Sequence, residues 1–373
     1  MKVVVIGGGV HGLCTAEVLS TITGVNVTLI EQYDPMHALG SSHGLTRITR
    51  STYADPLYVE LMQYAHQEYW PELEQRLGTQ FIRPVEGCFF GPSDGTIDAY
   101  AAAVHQAGAN VARLTISQAK KRFPHFNFRT DDSILMDHTS GQILAGKLMR
   151  CLWNELANRS VNLAVNEKVH QIDGHKMIVR TQHRTIQADK IIVCAGPWVA
   201  SLCPELQSRT QVVRQFVSYW KPQRDLPSFP VWVALGNKHT ENWYGLPQSV
   251  DEGFKMAQHR LIGNDLPSQA QMDVPAEQLG SIREWATNRL SFPLGTLLNT
   301  ETCLYTVTKD EDFIVDRWRS NENIIYAAGF SGHGFKFGPL IGRYLSALVT
   351  DKVSELSWFE NADLRWKWTA DKQ

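Results

Sequence analysis

The segment Gly7-Gly8-Gly9-Val10-His11-Gly12 follows the apolar run Val3–Ile6 and leads into Val10–Ile22, whose apolar residues recur at helical spacing. Glycines at the first, third and sixth positions of a strand-to-helix turn leave little choice of use. Gly7 permits the tight turn, Gly9 lets the backbone approach a pyrophosphate, and Gly12 allows the helix to pack closely on the strand. The helix N-terminus then offers unpaired N–H groups and a positive dipole end to phosphates. A second apolar run, Val25–Ile30, ends at Glu31, at about the twenty-residue spacing at which an acid meets the ribose. A carboxylate there suits a free 2′-OH and repels a 2′-phosphate, which disfavours NADP. Strand, turn, helix, strand and acid in this order predict a Rossmann-type dinucleotide site. The pattern fits FAD and NAD equally. His11, inside the turn, reads as a tolerated variable position.

Two further stretches repeat the strand–turn–helix texture. Ile191-Ile192-Val193 ends in Ala195-Gly196-Pro197, and Ile324–Ala328 passes through Gly329–Gly334 into a helical pattern ending near Val349. Between them, residues 80–144 and 207–299 mix short β-like runs such as Gln211–Trp220 with Pro-rich connections, and Ala276–Leu290 has helical character. The expected fold is α/β, with a Rossmann-like nucleotide domain built from 1–79, 145–206 and 300–373. A mixed-sheet α+β substrate domain, 80–144 and 207–299, is interleaved with it. The net charge of −2 provides no bias towards nucleic acid or an anionic membrane surface, and no apolar run is long enough to span a bilayer. The six cysteines are scattered, and no Cys/His cluster has metal spacing, so thiols in a reducing cytoplasm and no metal site are expected.

A longer resemblance narrows the cofactor. Gly40-Ser41-Ser42-His43-Gly44-Leu45-Thr46-Arg47-Ile48-Thr49-Arg50 resembles the flavin-contacting segment of the monomeric sarcosine oxidase and N-methyltryptophan oxidase family, among the D-amino-acid-oxidase-like flavoproteins. Tyr244-Gly245-Leu246-Pro247, Gly253-Phe254-Lys255 and His259 are similar to its middle portion. Cys303-Leu304-Tyr305-Thr306, Asp310–Asp316 and Ala327–Phe337 are similar to its C-terminal portion. The family usually carries an acid where this chain has Leu45, which predicts altered contacts beside the Thr-Arg pair. Ser249–Glu252 also departs from the family's glycine-rich stretch.

The resemblance implies FAD, joined by a thioether from Cys303 to the isoalloxazine 8-methyl carbon, with Gly7, Gly9, Gly12, Glu31, Ser42, His43, Thr46, the turn Gly332-His333-Gly334 and Lys336 as further contacts. It implies that Arg47 lies near the flavin face, that Arg50 and Lys336 hold a substrate carboxylate, and that Lys255 activates oxygen. Tyr244 and His259 would bind or orient the amine. The implied reaction oxidises a small secondary amino acid such as sarcosine. Hydride passes to flavin N5, and reoxidation by O2 gives H2O2 and an imine or aldehyde. The implied partners are the amine and O2, with no nucleic acid or membrane, and the implied state is a monomer. Within the same fold, a cyclic imino acid oxidase or a tailoring oxidase is the nearest alternative. The N-terminal turn alone also permits an NAD-dependent dehydrogenase, and a non-catalytic flavin-binding protein is a third class. Trp358 to Trp368 read as packing for a C-terminal tail tied down by Arg365.

Overall fold

In the computed structural model, which describes residues 1–93, 96–223, 225–236, 242–249, 253–269 and 273–366, the glycine turn joins the central strand Lys2–Ile6 to the helix Val10–Ser20. A Cβ on Gly12 would lie 1.9 Å from Gly7 O, and one on Gly7 would lie 2.3 Å from Cys194 O. Gly7 also has φ +108, a conformation that side-chain-bearing residues rarely adopt. Only glycine fits at either position. Lys2–Ile6 pairs in parallel with Asn26–Ile30 on one side and Lys190–Val193 on the other. Asn162–Ala164, Asn321–Ala328 and Ile314–Trp318 complete a six-stranded sheet whose last pair is antiparallel. Its strands are buried on both faces, as expected of parallel strands covered by helices. The helix Gly338–Thr350 packs on Val10–Ser20 through Gly338 and Gly342, one turn apart. A Cβ at Gly342 would lie 2.7 Å from the Cys14 backbone, so the two helices approach to backbone contact.

The second layer is an eight-stranded sheet, ordered Thr296–Val307, Gln211–Lys221, Gly253–Gln258, Trp243–Ser249, Val231–Ala234, Gly87–Pro92, Asp132–Asp137 and Val111–Leu114. Its outer face carries Trp220, Trp232, Trp243, Phe254 and Met256, packed under the helix Ala276–Arg289 in an aromatic core. The opposite face, reached by period-two alternation, carries Val217, Tyr244, Leu246, Lys255, Glu301, Cys303 and Tyr305, all facing one cavity.

The expected division at residue 300 falls inside the strand Thr296–Val307, which pairs with Gln211–Lys221 along its length. That strand belongs whole to the second sheet because breaking the ladder at 300 would orphan its backbone groups. Ile82–Pro84 and Gly141–Ile143 likewise join Arg47–Thr49 in a small three-stranded sheet of their own. Among the described residues no helix is long and apolar enough to cross a membrane.

Candidate functional site

One cavity of about 980 Å³ runs from the glycine turn to the inner face of the larger sheet. At the glycine end, Gly8 N–H donates to Glu31 Oε2 at 2.8 Å and Tyr33 N–H donates to Glu31 Oε1 at 3.0 Å. These bonds hold the buried carboxylate beside the turn. The only atom a Cβ on Gly9 would meet is Ser42 Oγ, at 3.3 Å, so this position is open on the cavity side where Gly7 and Gly12 are closed. Ser42 Oγ accepts from Val10 N–H at 3.1 Å and so places a hydroxyl on the helix N-terminus. Trp153, which carries no sequence signal, abuts Gly8 and lines the same end. Its buried Nε1 has no protein acceptor.

The turn is tied to the far end of the chain. His11 stacks on Phe330 and bonds to Gly334 O, so this position is structurally constrained, contrary to the tolerance expected of it. Burial lowers its pKa to about 4. The Gly332–Gly334 turn borders the cavity. His333 N–H is consumed by Phe330 O at 2.9 Å, and the following helix begins only at Gly338, after a short 3-10 turn.

In the middle of the cavity, Arg47 gathers its own loop. Its guanidinium donates to Thr46 O, Ser41 O and His43 O. Lys255 Nζ, buried on the large sheet, donates to Thr46 O from the other side at 3.4 Å. Thr46 lines the cavity, but these two cations occupy its carbonyl. His43 Nε2–H donates to Thr302 O at 2.9 Å, leaving the Nδ1 lone pair buried without a donor. Burial, then Arg47, lowers the His43 pKa to about 4. Cys303 stands one strand away from this group. Burial pushes its thiol pKa up, while Arg47 and then Lys255 pull it down. All six cysteines are free thiols, and Cys303 is the one on the cavity-facing side of the large sheet.

At the remaining end, Arg50 lays its guanidinium carbon 4.2 Å from the centroid of Tyr53, 5.5 Å from that of Phe89 and 5.9 Å from that of Tyr100. Its Nη1 is buried with no hydrogen-bond acceptor. Lys336 is buried opposite. Its Nζ donates to Tyr53 Oη at 3.0 Å and to His333 O at 2.9 Å. Burial, then Arg50, holds the Lys336 pKa well below the usual lysine range. His333 Nε2–H donates to Glu311 O, so its Nδ1 accepts from Tyr53 O–H at 3.4 Å. Burial keeps that imidazole neutral. The segment between Arg50 and Tyr53 is fastened by the fully buried Asp137. Its Oδ2 accepts from Ser51 N–H, Thr52 N–H and Thr52 Oγ1, and its Oδ1 accepts from Thr139. Tyr244, Tyr305 and His259 form the wall on the large sheet, with the His259 and Tyr305 ring centroids 5.5 Å apart. Burial raises the Tyr244 pKa to about 12.

Apart from Gly12, which packs against the Gly7 backbone outside the lining, the expected site residues meet around one cavity. Leu45 does not. It sits at the surface against Gly146, outside the lining, so loss of the family's acid there leaves the cavity wall unchanged. Of the divergent stretch at 249–252, residues 250–252 lie outside the described residues, as does Trp368. Arg365 donates to Asp312 and Asp55, and Trp358 and Trp366 are buried beneath the same tail. Tyr53, Trp153, Asp137 and Tyr100 were not foreseen. No local motif marks them, because each acquires its place through contacts distant in sequence.

The FAD dependent oxidoreductase family model, DAO, matches residues 2–348. Human peroxisomal sarcosine oxidase is 30% identical over 366 residues, spanning 92% of this chain and 91% of that protein. N-methyl-L-tryptophan oxidase of Escherichia coli K12 is 30% identical over 369 residues, spanning 94% and 95%. Among solved structures, the open form of NikD, described as an unusual amino acid oxidase essential for nikkomycin biosynthesis, superposes with a TM-score of 0.83. It is 22% identical and covers 94% of this chain and 93% of its own. A fold shared from end to end, a family match over nearly the whole sequence and a glycine turn opening on the cavity lead to one assignment: this chain is a member of the DAO family of FAD-dependent oxidoreductases.

Proposed function

We propose that the protein oxidises an N-methyl or other small secondary amino acid, gripping the substrate carboxylate between Arg50 and Lys336. The observation that carries this reading is the pair of basic side chains at the end of the cavity, half-buried Arg50 and buried Lys336. Arg50 Nη1 has no acceptor, and neither Arg50 nor Lys336 has a carboxylate partner among the described residues. A buried guanidinium without an anion is costly, and a planar carboxylate matches its fork. The curated relatives named above, a sarcosine oxidase and an N-methyltryptophan oxidase, support the same substrate class.

The cavity fits FAD. Gly9 is open where a pyrophosphate would pass, Glu31 is fixed where a ribose would lie, and the orphaned Trp153 Nε1 and His43 Nδ1 mark polar positions along its length. Gly7, Gly9, Gly12, Ser42 and Glu31 would hold the dinucleotide. Arg47, His43, Thr46 and the Gly332–Gly334 turn would border the isoalloxazine, and Cys303 would anchor it through a thioether. When bound, FAD supplies the two-electron acceptor for the amine and the donor to oxygen.

The chain's own residues perform the rest. Arg50, held over the Tyr53 ring, orients the carboxylate, and Tyr244 and His259 border the amine. Lys255 and Arg47 maintain a positive potential in the middle of the cavity, which favours developing negative charge there. Tyr100, Phe89 and Leu235 exclude water from the Arg50 end, which strengthens each of these interactions. The test is peroxide production from a panel of N-methyl and cyclic amino acids, by the enzyme and by Arg50→Gln. Turnover with a KM raised about a hundredfold in the variant, the loss of a charge-assisted pair, supports the reading. An unchanged KM refutes it.

A further inference from the structure

We propose that Lys336 is the base of substrate loading: its amine is neutral in the unliganded site and takes the proton that the substrate ammonium must lose. This rests on the carboxylate reading above and adds to it a fate for the proton.

The geometry at Nζ carries the argument. Two acceptors surround it, Tyr53 Oη at 3.0 Å and His333 O at 2.9 Å. A neutral amine has two N–H bonds and one lone pair, so both N–H bonds are satisfied and the lone pair needs no protein partner. An ammonium would bring a third N–H into a buried site where the described residues offer no third acceptor. The charged and titratable groups around it are Arg50, Tyr53, His333 and His66, and none of them is anionic. His333 and His66 are kept neutral by their own burial, and Arg50 is a permanent cation. Burial and Arg50 both depress the Lys336 pKa, in agreement with the hydrogen-bond count.

An incoming zwitterion changes both halves of this balance. Its carboxylate supplies the counter-charge that Lys336 lacks, which favours the protonated lysine. Its ammonium enters a cavity already holding Arg50, Arg47 and Lys255, which disfavours the protonated amine. The N–H bond at the substrate nitrogen breaks, its electron pair remains on that nitrogen, and an N–H bond forms at Nζ. No electron is transferred and no co-reactant is required. The amine is left with the lone pair that C–H oxidation needs, and binding itself triggers the change.

The test is titration calorimetry of the holoenzyme at pH 8.5 in two buffers of different ionisation enthalpy. Acetate carries no proton to give, so its binding is expected to take up about one proton from buffer. 2-Aminoisobutyrate carries an ammonium and has no hydrogen on its α-carbon to be oxidised, so it is expected to take up close to none. Lys336→Met, with Arg50 still present, should bind acetate more weakly and without uptake, whereas His259→Asn should retain it. Acetate binding with a buffer-independent enthalpy, or uptake that persists in Lys336→Met, overturns the inference and leaves the carboxylate site standing. Failure of acetate to bind overturns the carboxylate site and this inference with it.

Discussion

His11 lies flat on Phe330, with ring centroids 3.7 Å and planes 17° apart, and its Nε2–H donates to Gly334 O at 3.1 Å. Through this pair the first turn of the chain and the last turn of the cavity form one unit. The bond requires a proton on Nε2, and burial keeps the imidazole neutral. His43 and His66 are buried in comparable fashion, and all three have pKa values lowered to about 4, with burial as the first cause.

A pH dependence follows. Between pH 6.5 and 4 the unfolded chain protonates these histidines and the folded chain does not, so the unfolded state binds more protons and stability falls as pH drops. Stability from these groups is fully present above pH 6.5. Urea denaturation at pH 7 and pH 5 should show a clear loss at the lower value. His11→Phe, which keeps the stack and removes the titration, should lessen that loss.

Gly12 and Gly9 separate fold from cofactor. Alanine at Gly12 would place a Cβ 1.9 Å from Gly7 O, a backbone atom that cannot yield, so Gly12→Ala should give little soluble protein. Alanine at Gly9 meets only Ser42 Oγ, at 3.3 Å. Gly9→Ala should fold, with circular dichroism like that of the parent, and carry much less flavin.

Fully buried Asp137 accepts five hydrogen bonds, three from the segment between Arg50 and Tyr53 and two from Thr139. Asparagine turns one of its oxygens into a donor facing donors. Asp137→Asn should therefore cost about 2–4 kcal/mol by chemical denaturation. It should also raise KM for the amino acid more than it lowers kcat, because it loosens the carboxylate grip.

Cys303 is expected to retain the flavin after the fold is lost. Acid-precipitated wild-type protein should form a yellow pellet over a colourless supernatant, and Cys303→Ser should reverse the two. Release of the colour by the wild type would remove the thioether from the account.

Much of this site was legible because its signals are local. The glycine turn and Glu31 lie within one βαβ unit, and Cys303 lies within a contiguous motif that carries the family resemblance. What was not legible depends on distance in sequence. Tyr53 gains its role from Lys336, 283 residues away, and Asp137 gains its role from Ser51, 86 residues away. His11 was misjudged for the same reason, since Phe330 and Gly334 become its neighbours only in the folded chain. The division at 300 was misplaced because a strand's sheet is decided by its hydrogen-bond partner, and composition does not record that partner.

The central claim is that Arg50 and Lys336 recognise a carboxylate on the amine that is oxidised. Its most direct measurement is anaerobic bleaching of the flavin by an N-methyl amino acid and by the methyl ester of the same compound. The account predicts rapid bleaching by the acid and bleaching by the ester slower by at least about a hundredfold, the loss of one charged grip. Equal rates for acid and ester would contradict it.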